Sequence, residues 1–212
     1  MSVLEQISSA LQRGKAKDIK GLVQQAIDRG IAAETILNDG LMAGMNVVGG
    51  KFKRNEVFVP EVLIAGRAMN VGVAMLKPLL VKNGVRDKGK VLIGSVKGDL
   101  HDIGKNLVRM MIEAKGFEVI DLGVDVPGES FLKTAQECQV DIVCLSALLT
   151  TTMSEMRSVV ELFEGAGVRE RYKIMIGGAP ITQSFCTTIG ADLYTPDAAS
   201  AADAAMEFAP MK

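Results

Sequence analysis

The hydrophobic positions of the chain change their spacing partway along its length. In the first part they recur every three or four residues, a pattern typical of amphipathic helices. We predict four helices there, with their apolar positions within residues 4–11, 19–27, 36–45 and 62–76. Gly30 is expected to end the second helix and Gly49 and Gly50 the third, whereas Pro60 suits the first turn of the fourth, which Pro78 should kink or end. Four helices with short loops indicate a small bundle.

In the second part, short β-type runs alternate with helical patterns. Strands are predicted near residues 91–96, 118–122, 141–147, 173–177 and 191–194, and helices near 103–115, 129–138, 153–165, 182–189 and 198–208. Five such βα units predict an α/β domain with a doubly wound, five-stranded parallel sheet, Rossmann-like, in the flavodoxin-like order 2-1-3-4-5. The polar, glycine-bearing residues 83–89 are interpreted as a linker, which gives a helical domain at 1–87 and an α/β domain at 88–212.

Composition narrows the classes of function. The chain has 24 basic and 25 acidic residues and only 4% aromatic residues, so we expect no general attraction to nucleic acid or to anionic membranes. No apolar run reaches the roughly 20 residues of a membrane span, and the start resembles an amphipathic helix rather than a signal peptide. Cys138, Cys144 and Cys186 lack Cys-x-x-Cys spacing and are expected to be reduced thiols of a cytoplasmic protein, packed as small apolar residues.

The most informative stretch is the predicted loop between the first strand and its helix. It contains His101, the only histidine among 212 residues, with Asp99 two positions before it. Ligands of open α/β sheets bind beyond the carboxyl ends of the strands, and imidazole is a common ligand of transition metals. A carboxylate that accepts the second ring N–H would fix the tautomer. Gly98 and Gly104 would let the backbone approach a large ligand.

A lone histidine near a helix start is more often a cap, a surface residue or a satisfied polar group. One histidine with nearby carboxylates also cannot complete a zinc site, which needs about four ligands. A metal bound by His101 must therefore bring most of its own coordination, as a macrocycle does.

A longer set of residues carries a resemblance to a known family. Its parts are Asp99-x-His101-x-x-Gly104, then Ser146-x-Leu148, then Gly177-Gly178. This set resembles the cobalamin-binding module of methionine synthase and of the corrinoid proteins of methanol and methylamine methyltransferase systems. The resemblance extends from about residue 5 to about residue 205.

The resemblance implies a cobalamin cofactor, methylcobalamin in its loaded state, and roles for individual residues. His101 Nε2 would be the lower ligand of cobalt, and Asp99 would hold the Nδ1–H of His101. The residues implied to contact the cofactor are Gly98, Asp99, Leu100, His101, Asp102, Ile103, Gly104, Ser146, Leu148, Thr150, Gly177, Gly178 and Ala198. Ser146 and Thr150 would meet the nucleotide tail of the cofactor, and the paired glycines would admit the base of that tail. Thr152 is also a candidate N-cap of the following helix.

In the family a helical cap covers the upper face of the corrin, and Phe52 and Val59 match the residues that shield the cobalt–carbon bond. Phe58 is the alternative for ordinary core packing in the same stretch. Residues 123–127 are implied to follow the lower rim of the corrin, although Asp121 and Asp125 are equally interpretable as plain loop carboxylates.

The function implied is a methyl carrier that cycles between Co(I) and methyl-Co(III), a non-catalytic subunit rather than a complete enzyme. A donor-specific methyltransferase would load it, and a second methyltransferase would unload it to tetrahydrofolate or a thiol. A reductive activator protein would restore oxidised cobalt, and residues 83–89 would be a hinge. The alternatives are a cobalamin-dependent sensor that regulates transcription and the small subunit of a carbon-skeleton mutase.

Overall fold

The computed structural model describes residues 1–82 and 88–209 and consists of two compact units, Met1–Arg86 and Asp87–Lys212. Most of the predicted linker, residues 83–87, lies outside the described residues, so its role as a hinge stays a prediction.

The first unit is helical. Its elements are α1 (Val3–Gln12), α2 (Ala16–Asp28), α3 (Ala33–Thr35), a π-helical segment (Ile36–Met42), α4 (Ala43–Lys53) and α5 (Val59–Lys82). The first helix opens with a capping box between Ser2 and Glu5, which satisfies two backbone N–H groups. Gly30 follows the C-cap of α2 with a φ of +74°, which confirms that it ends this helix.

One predicted helix end is wrong, and at Pro78 one of the two predicted outcomes is excluded. The third helix continues through Gly49 and Gly50 to Lys53, and the fourth continues through Pro78 to Lys82. The first of these helices has a close packing contact with α1, because a Cβ on Gly44 would lie 2.9 Å from the Ser8 carbonyl oxygen. Tertiary packing therefore outweighs the low helix propensity of glycine. In the 24-residue α5, Pro78 removes one backbone donor without ending the helix.

One helix, Val59–Leu80, is long and apolar enough to cross a membrane by length and composition alone. It packs against α2, and its residues Val62, Ala65 and Leu76 are fully buried within the unit. The core helix of a bundle has the same composition, so this single helix is weak evidence for a membrane span.

The second unit contains a five-stranded, fully parallel sheet in the order β2-β1-β3-β4-β5, which confirms the predicted topology. Its elements are β1 (Lys90–Ser95), α6 (Ile103–Glu113), β2 (Glu118–Asp121), α7 (Gly128–Cys138), β3 (Ile142–Ser146), a 3-10 turn (Thr150–Thr152), α8 (Met153–Gly165), a second 3-10 turn (Arg169–Arg171), β4 (Lys173–Gly177), α9 (Gln183–Ile189), β5 (Leu193–Tyr194) and α10 (Ala198–Glu207).

Alternate strand residues face two helical layers. On one face α6 packs against α10, and on the other α7 packs against α8 over a core that includes Leu92, Phe131 and Phe163. Gly94 in β1 makes room for this core, since a Cβ there would lie 2.7 Å from Cζ of Phe131.

The cysteines agree in part with their expected packing. Cys144 and Cys186 are buried, whereas Cys138 is half-buried. Burial raises the pKa of the Cys144 thiol to about 12, so this thiol remains protonated and behaves as an apolar core residue.

Candidate functional site

The loop after β1 is tied to the loop after β2 by hydrogen bonds in both directions. The Gly98 N–H donates to Asp125 Oδ1 at 2.7 Å, and the Asp125 N–H donates to the Asp99 carbonyl oxygen at 2.9 Å. Gly98 has a φ of +80°, which glycine adopts without strain. The loop that carries His101 is therefore fixed at the point where it leaves the strand.

Asp99 is fully buried and accepts hydrogen bonds on both oxygens. Its Oδ1 lies 2.8 Å from His101 Nδ1 and accepts from the His101 backbone N–H at 3.1 Å. Its Oδ2 accepts from the backbone N–H of Leu148 at 2.7 Å, from that of Leu149 at 3.3 Å and from the Thr152 hydroxyl at 2.9 Å. One carboxylate thus joins the loops after β1 and β3, which neighbour each other in the sheet.

These contacts decide the charge of Asp99. Burial opposes its ionisation, but the hydrogen bonds from Leu148, His101 and Thr152 outweigh burial and hold the pKa of the carboxyl well below its usual value. Asp99 is therefore an ionised acceptor at neutral pH. With Nδ1–H of His101 donated to it, Nε2 is the ring nitrogen left for a ligand.

We expect the Asp99→Asn variant to lose about 3 kcal/mol of unfolding free energy at neutral pH, because an amide in place of the carboxylate cannot accept all of these bonds. An acid with a lowered pKa in the folded state stabilises the fold above its unfolded pKa, and this contribution is lost as the pH falls through the pKa of the folded state. The difference between wild type and variant should therefore shrink below about pH 4. Urea unfolding followed by circular dichroism across this range measures it. A difference independent of pH would contradict the assignment.

The surroundings of His101 suit a large, flat, apolar ligand. The His101 side chain is 49% exposed, and several large apolar side chains from its own loop, from the start of α6 and from the loop after β3 are exposed too. They are Leu100 at 71%, Ile103 at 67%, and Leu148 and Leu149 at 41% each. A group of exposed apolar side chains is typical of a binding site. A Cβ added at Gly104 would meet nothing within 4 Å, so this residue leaves open space at the start of α6. These features fit the edge and underside of a macrocycle.

The residues implied to meet the nucleotide tail all lie at the carboxyl edge of the sheet. Ser146 ends β3, exposed Thr150 begins the following 3-10 turn, and Gly177 ends β4. Ala198 is the first residue of α10 and is buried. Asp102 directly follows His101 in the sequence, immediately precedes α6 and is exposed. Their contacts with the cofactor stay predictions.

Gly178 has a reason for being glycine that lies within the protein. Its φ is +138°, and a Cβ there would overlap with the carbonyl oxygen of Ala147. At Gly177 a Cβ would lie 3.3 Å from the Thr195 carbonyl oxygen, which is a tight but smaller conflict. Close packing of the loops after β3 and β4 therefore requires Gly178 before any ligand is considered.

Asp121 and Asp125 are engaged by the protein itself, which favours their interpretation as structural carboxylates. Both oxygens of Asp121 lie 2.6 Å from Nζ of the buried Lys105, and Oδ2 also accepts from Arg109 at 3.2 Å. Asp121 accepts from the Gly123 N–H as well. Asp125 accepts from Gly98, as described above.

Three contacts at the site were missed by sequence reasoning. Thr152 occupies the N-cap position of α8, as predicted. Its hydroxyl group makes no capping hydrogen bond to the helix and donates to Asp99 instead. The Leu149 N–H is a further donor to Asp99. Ser95, at the end of β1, donates to the His101 carbonyl oxygen at 2.7 Å. The available signal was the convergence of parallel strand ends at one edge, which brings the hydroxyls after β3 near Asp99.

The two residues implied to shield the upper face of the corrin belong to the first unit. Phe52 lies in the last turn of α4, Val59 begins α5, and both are half-buried. Their role stays a prediction. Phe58, the alternative for core packing, is 63% exposed, so that alternative is wrong.

Comparison with known proteins assigns the family. A B12 binding domain model matches residues 89–205, and a second B12 binding domain model matches residues 3–77. A corrinoid protein of Desulfitobacterium hafniense is 40% identical over 99% of this chain and 96% of its own length. Dimethylamine corrinoid protein 1 of Methanosarcina acetivorans is 42% identical over 97% of this chain and 96% of its own length.

 One chain in the crystal structure of the methanol:cobalamin methyltransferase complex of Methanosarcina barkeri is similar to this protein. The match to that chain has a TM-score of 0.85 and 31% identity, and it covers 97% of this chain and 80% of that one.

The protein therefore belongs to the B12-binding corrinoid proteins, and its cofactor is a cobalamin. This confirms the resemblance on which the sequence interpretation depends. It also agrees with the half-exposed imidazole and the exposed aliphatic side chains beside it.

Proposed function

We propose that the protein is a methyl carrier of a methyltransferase system, with His101 as the lower axial ligand of its cobalamin. The observation that carries this proposal is the Asp99–His101 pair, in which a buried, ionised carboxylate holds Nδ1 at 2.8 Å and Nε2 remains for a metal. When bound, the cofactor supplies the methyl-group chemistry, because cobalt accepts a methyl group as Co(I) and releases it from methyl-Co(III).

The contribution of the protein is binding and orientation. Asp99 fixes the tautomer of His101 and favours donation from Nε2, as carboxylates do for other metal-bound histidines. The exposed side chains of Leu100, Ile103 and Leu148 offer an apolar rim to the macrocycle. At the carboxyl edge of the sheet, Ser146 and Thr150 offer hydroxyl groups to the polar tail.

The partners are inferred from the relatives. One relative is named for dimethylamine, and the solved relative is part of a complex with a methanol:cobalamin methyltransferase activity. We propose that a separate methyltransferase loads this chain from a methylamine or methanol donor and that a second one unloads it to tetrahydrofolate or a thiol. A reductive activator that restores Co(I) and a cytoplasmic location complete the proposal.

A reconstituted system tests the proposal. The chain is loaded with hydroxocobalamin, reduced with titanium(III) citrate, and mixed with dimethylamine or methanol, each with and without the donor methyltransferase of the corresponding relative. We expect the visible spectrum of methylcobalamin to form only when a methyltransferase is present. Methylation by the chain alone would contradict the carrier role. Preferential binding of adenosylcobalamin would favour a mutase subunit, and a cobalamin-dependent gel shift with DNA would favour a regulator.

A further inference from the structure

Ser95 is fully buried at the end of β1, and the proposed carrier function described above gives its hydroxyl group no role. Its Oγ donates to the carbonyl oxygen of His101 at 2.7 Å. A buried serine is uncommon unless its hydroxyl is hydrogen-bonded, and this bond meets that need.

The donor belongs to a rigid part of the sheet. The Ser95 N–H donates to the Gly123 carbonyl oxygen at 3.0 Å, and the Ser95 carbonyl accepts from Val126 at 3.0 Å. Ser95 also lies opposite Ser146 in the pairing of β1 with β3. The position of its Oγ is therefore set by both neighbouring strands and their loops.

The acceptor lies just outside the helix. Helix α6 begins at Ile103, and its first backbone bond runs from the Asn106 N–H to the Asp102 carbonyl at 2.7 Å. The carbonyl of His101 comes one residue earlier and is met by Ser95 instead. The bond thus connects the last residue of β1 to the residue that lies two positions before the start of α6.

Together, Ser95 and Asp99 hold His101 at three points. Asp99 accepts from its backbone N–H and faces its ring Nδ1, and Ser95 donates to its carbonyl. The rest of the side chain is half-exposed, so few packing contacts remain to define where Nε2 points. A shift of the backbone would move Nε2 directly.

We propose that Ser95 is a positioning residue for the axial histidine. Its hydrogen bond to the His101 carbonyl oxygen holds the backbone of His101 in the position from which Nε2 of the imidazole reaches the metal. This inference rests on the proposed ligation by His101. It does not require Ser95 to touch the cofactor.

The experiment compares Ser95→Ala and Ser95→Cys with wild type. The thiol of the Cys variant has nearly the size of serine but is a weak donor, so this variant tests the bond even if the Ala variant fails to fold. The matched control is Ser158→Ala, which also removes a hydroxyl that donates to a carbonyl, that of Ser154 at 3.3 Å, but on the exposed surface of α8.

Two measurements separate positioning from a merely structural role. In the tag-free apoprotein, NMR signals of imidazole come from His101 alone, since the chain has one histidine. In the protein loaded with Co(II) cobalamin, electron paramagnetic resonance resolves the coupling of cobalt to a lower nitrogen. We expect altered imidazole shifts and about a tenfold fall in the ratio of histidine-bound to histidine-free cobalt for Ser95→Ala, the loss of roughly one hydrogen bond. The Cys variant should be intermediate and Ser158→Ala unchanged.

Unchanged imidazole signals and an unchanged ratio in folded Ser95 variants would overturn the proposal, even if their thermal stability falls. If the wild type itself lacks imidazole coordination, as shown by the same spectrum in His101→Ala, the proposed ligation fails. In that case the apoprotein NMR signals still decide whether Ser95 places the ring.

Discussion

Replacement of His101 by alanine is expected to remove the nitrogen coupling of Co(II) cobalamin that an imidazole ligand produces, and to lower the rate of methyl transfer about 100-fold or more. Asp99 and Ser95 are hydrogen-bonded to His101, whose Nε2 is the proposed ligand of the metal, and the chain has no second histidine to replace it. Electron paramagnetic resonance and a methyl-transfer assay with the donor methyltransferase measure the two effects.

The same substitution should leave the fold intact. The side chain of His101 is 49% exposed, so its removal should change the unfolding free energy of the apoprotein by less than about 1 kcal/mol. Added imidazole should restore part of the nitrogen coupling in the variant, which serves as the internal control. A wild-type spectrum in the variant would show that His101 does not bind the metal.

The Gly178→Ala variant is expected to destabilise the apoprotein by at least about 3 kcal/mol. Its φ of +138° disfavours any side chain, and the new Cβ would overlap with the Ala147 carbonyl oxygen on the neighbouring loop. Urea unfolding of the apoprotein measures the loss, because the cofactor is absent and only the internal packing is tested.

Two other glycines provide matched controls for this variant. Gly177→Ala meets the Thr195 carbonyl at 3.3 Å and should cost less, whereas Gly104→Ala meets nothing within 4 Å and should change stability by about 0.5 kcal/mol or less. If Gly178 served only to admit the cofactor tail, Gly178→Ala would unfold like wild type without cofactor and differ only in its affinity for cobalamin.

The architecture of the second unit was predictable from sequence because its strands are short apolar runs between clear breaks. Burial in β1 and β3 is nearly continuous, as expected for strands covered on both faces. In the first unit the helix end predicted at Gly49 and Gly50 was wrong, and the helix does not end at Pro78. Local propensity favours a helix end at each of these residues, but the helices are held by packing that involves residues far away in sequence.

The candidate site was predictable only to the level of the motif. The sequence placed Asp99 beside His101 because the two are two residues apart. It could not show that Thr152, which is 53 residues from Asp99, turns its hydroxyl away from a helix cap and toward that carboxylate. Nor could it distinguish a glycine required by a ligand from one required by the protein, and at Gly178 the protein's own backbone is sufficient reason.

The two oxygens of Asp99 serve different parts of the chain. Oδ1 lies next to Nδ1 of the imidazole. Oδ2 accepts from three donors, which are the backbone N–H groups of Leu148 and Leu149 and the hydroxyl of Thr152. A displacement of the ring should therefore shift the Asp99 carboxylate and change the surroundings of the backbone N–H groups of Leu148 and Leu149. Those amides are natural reporters of whether the histidine is in its place.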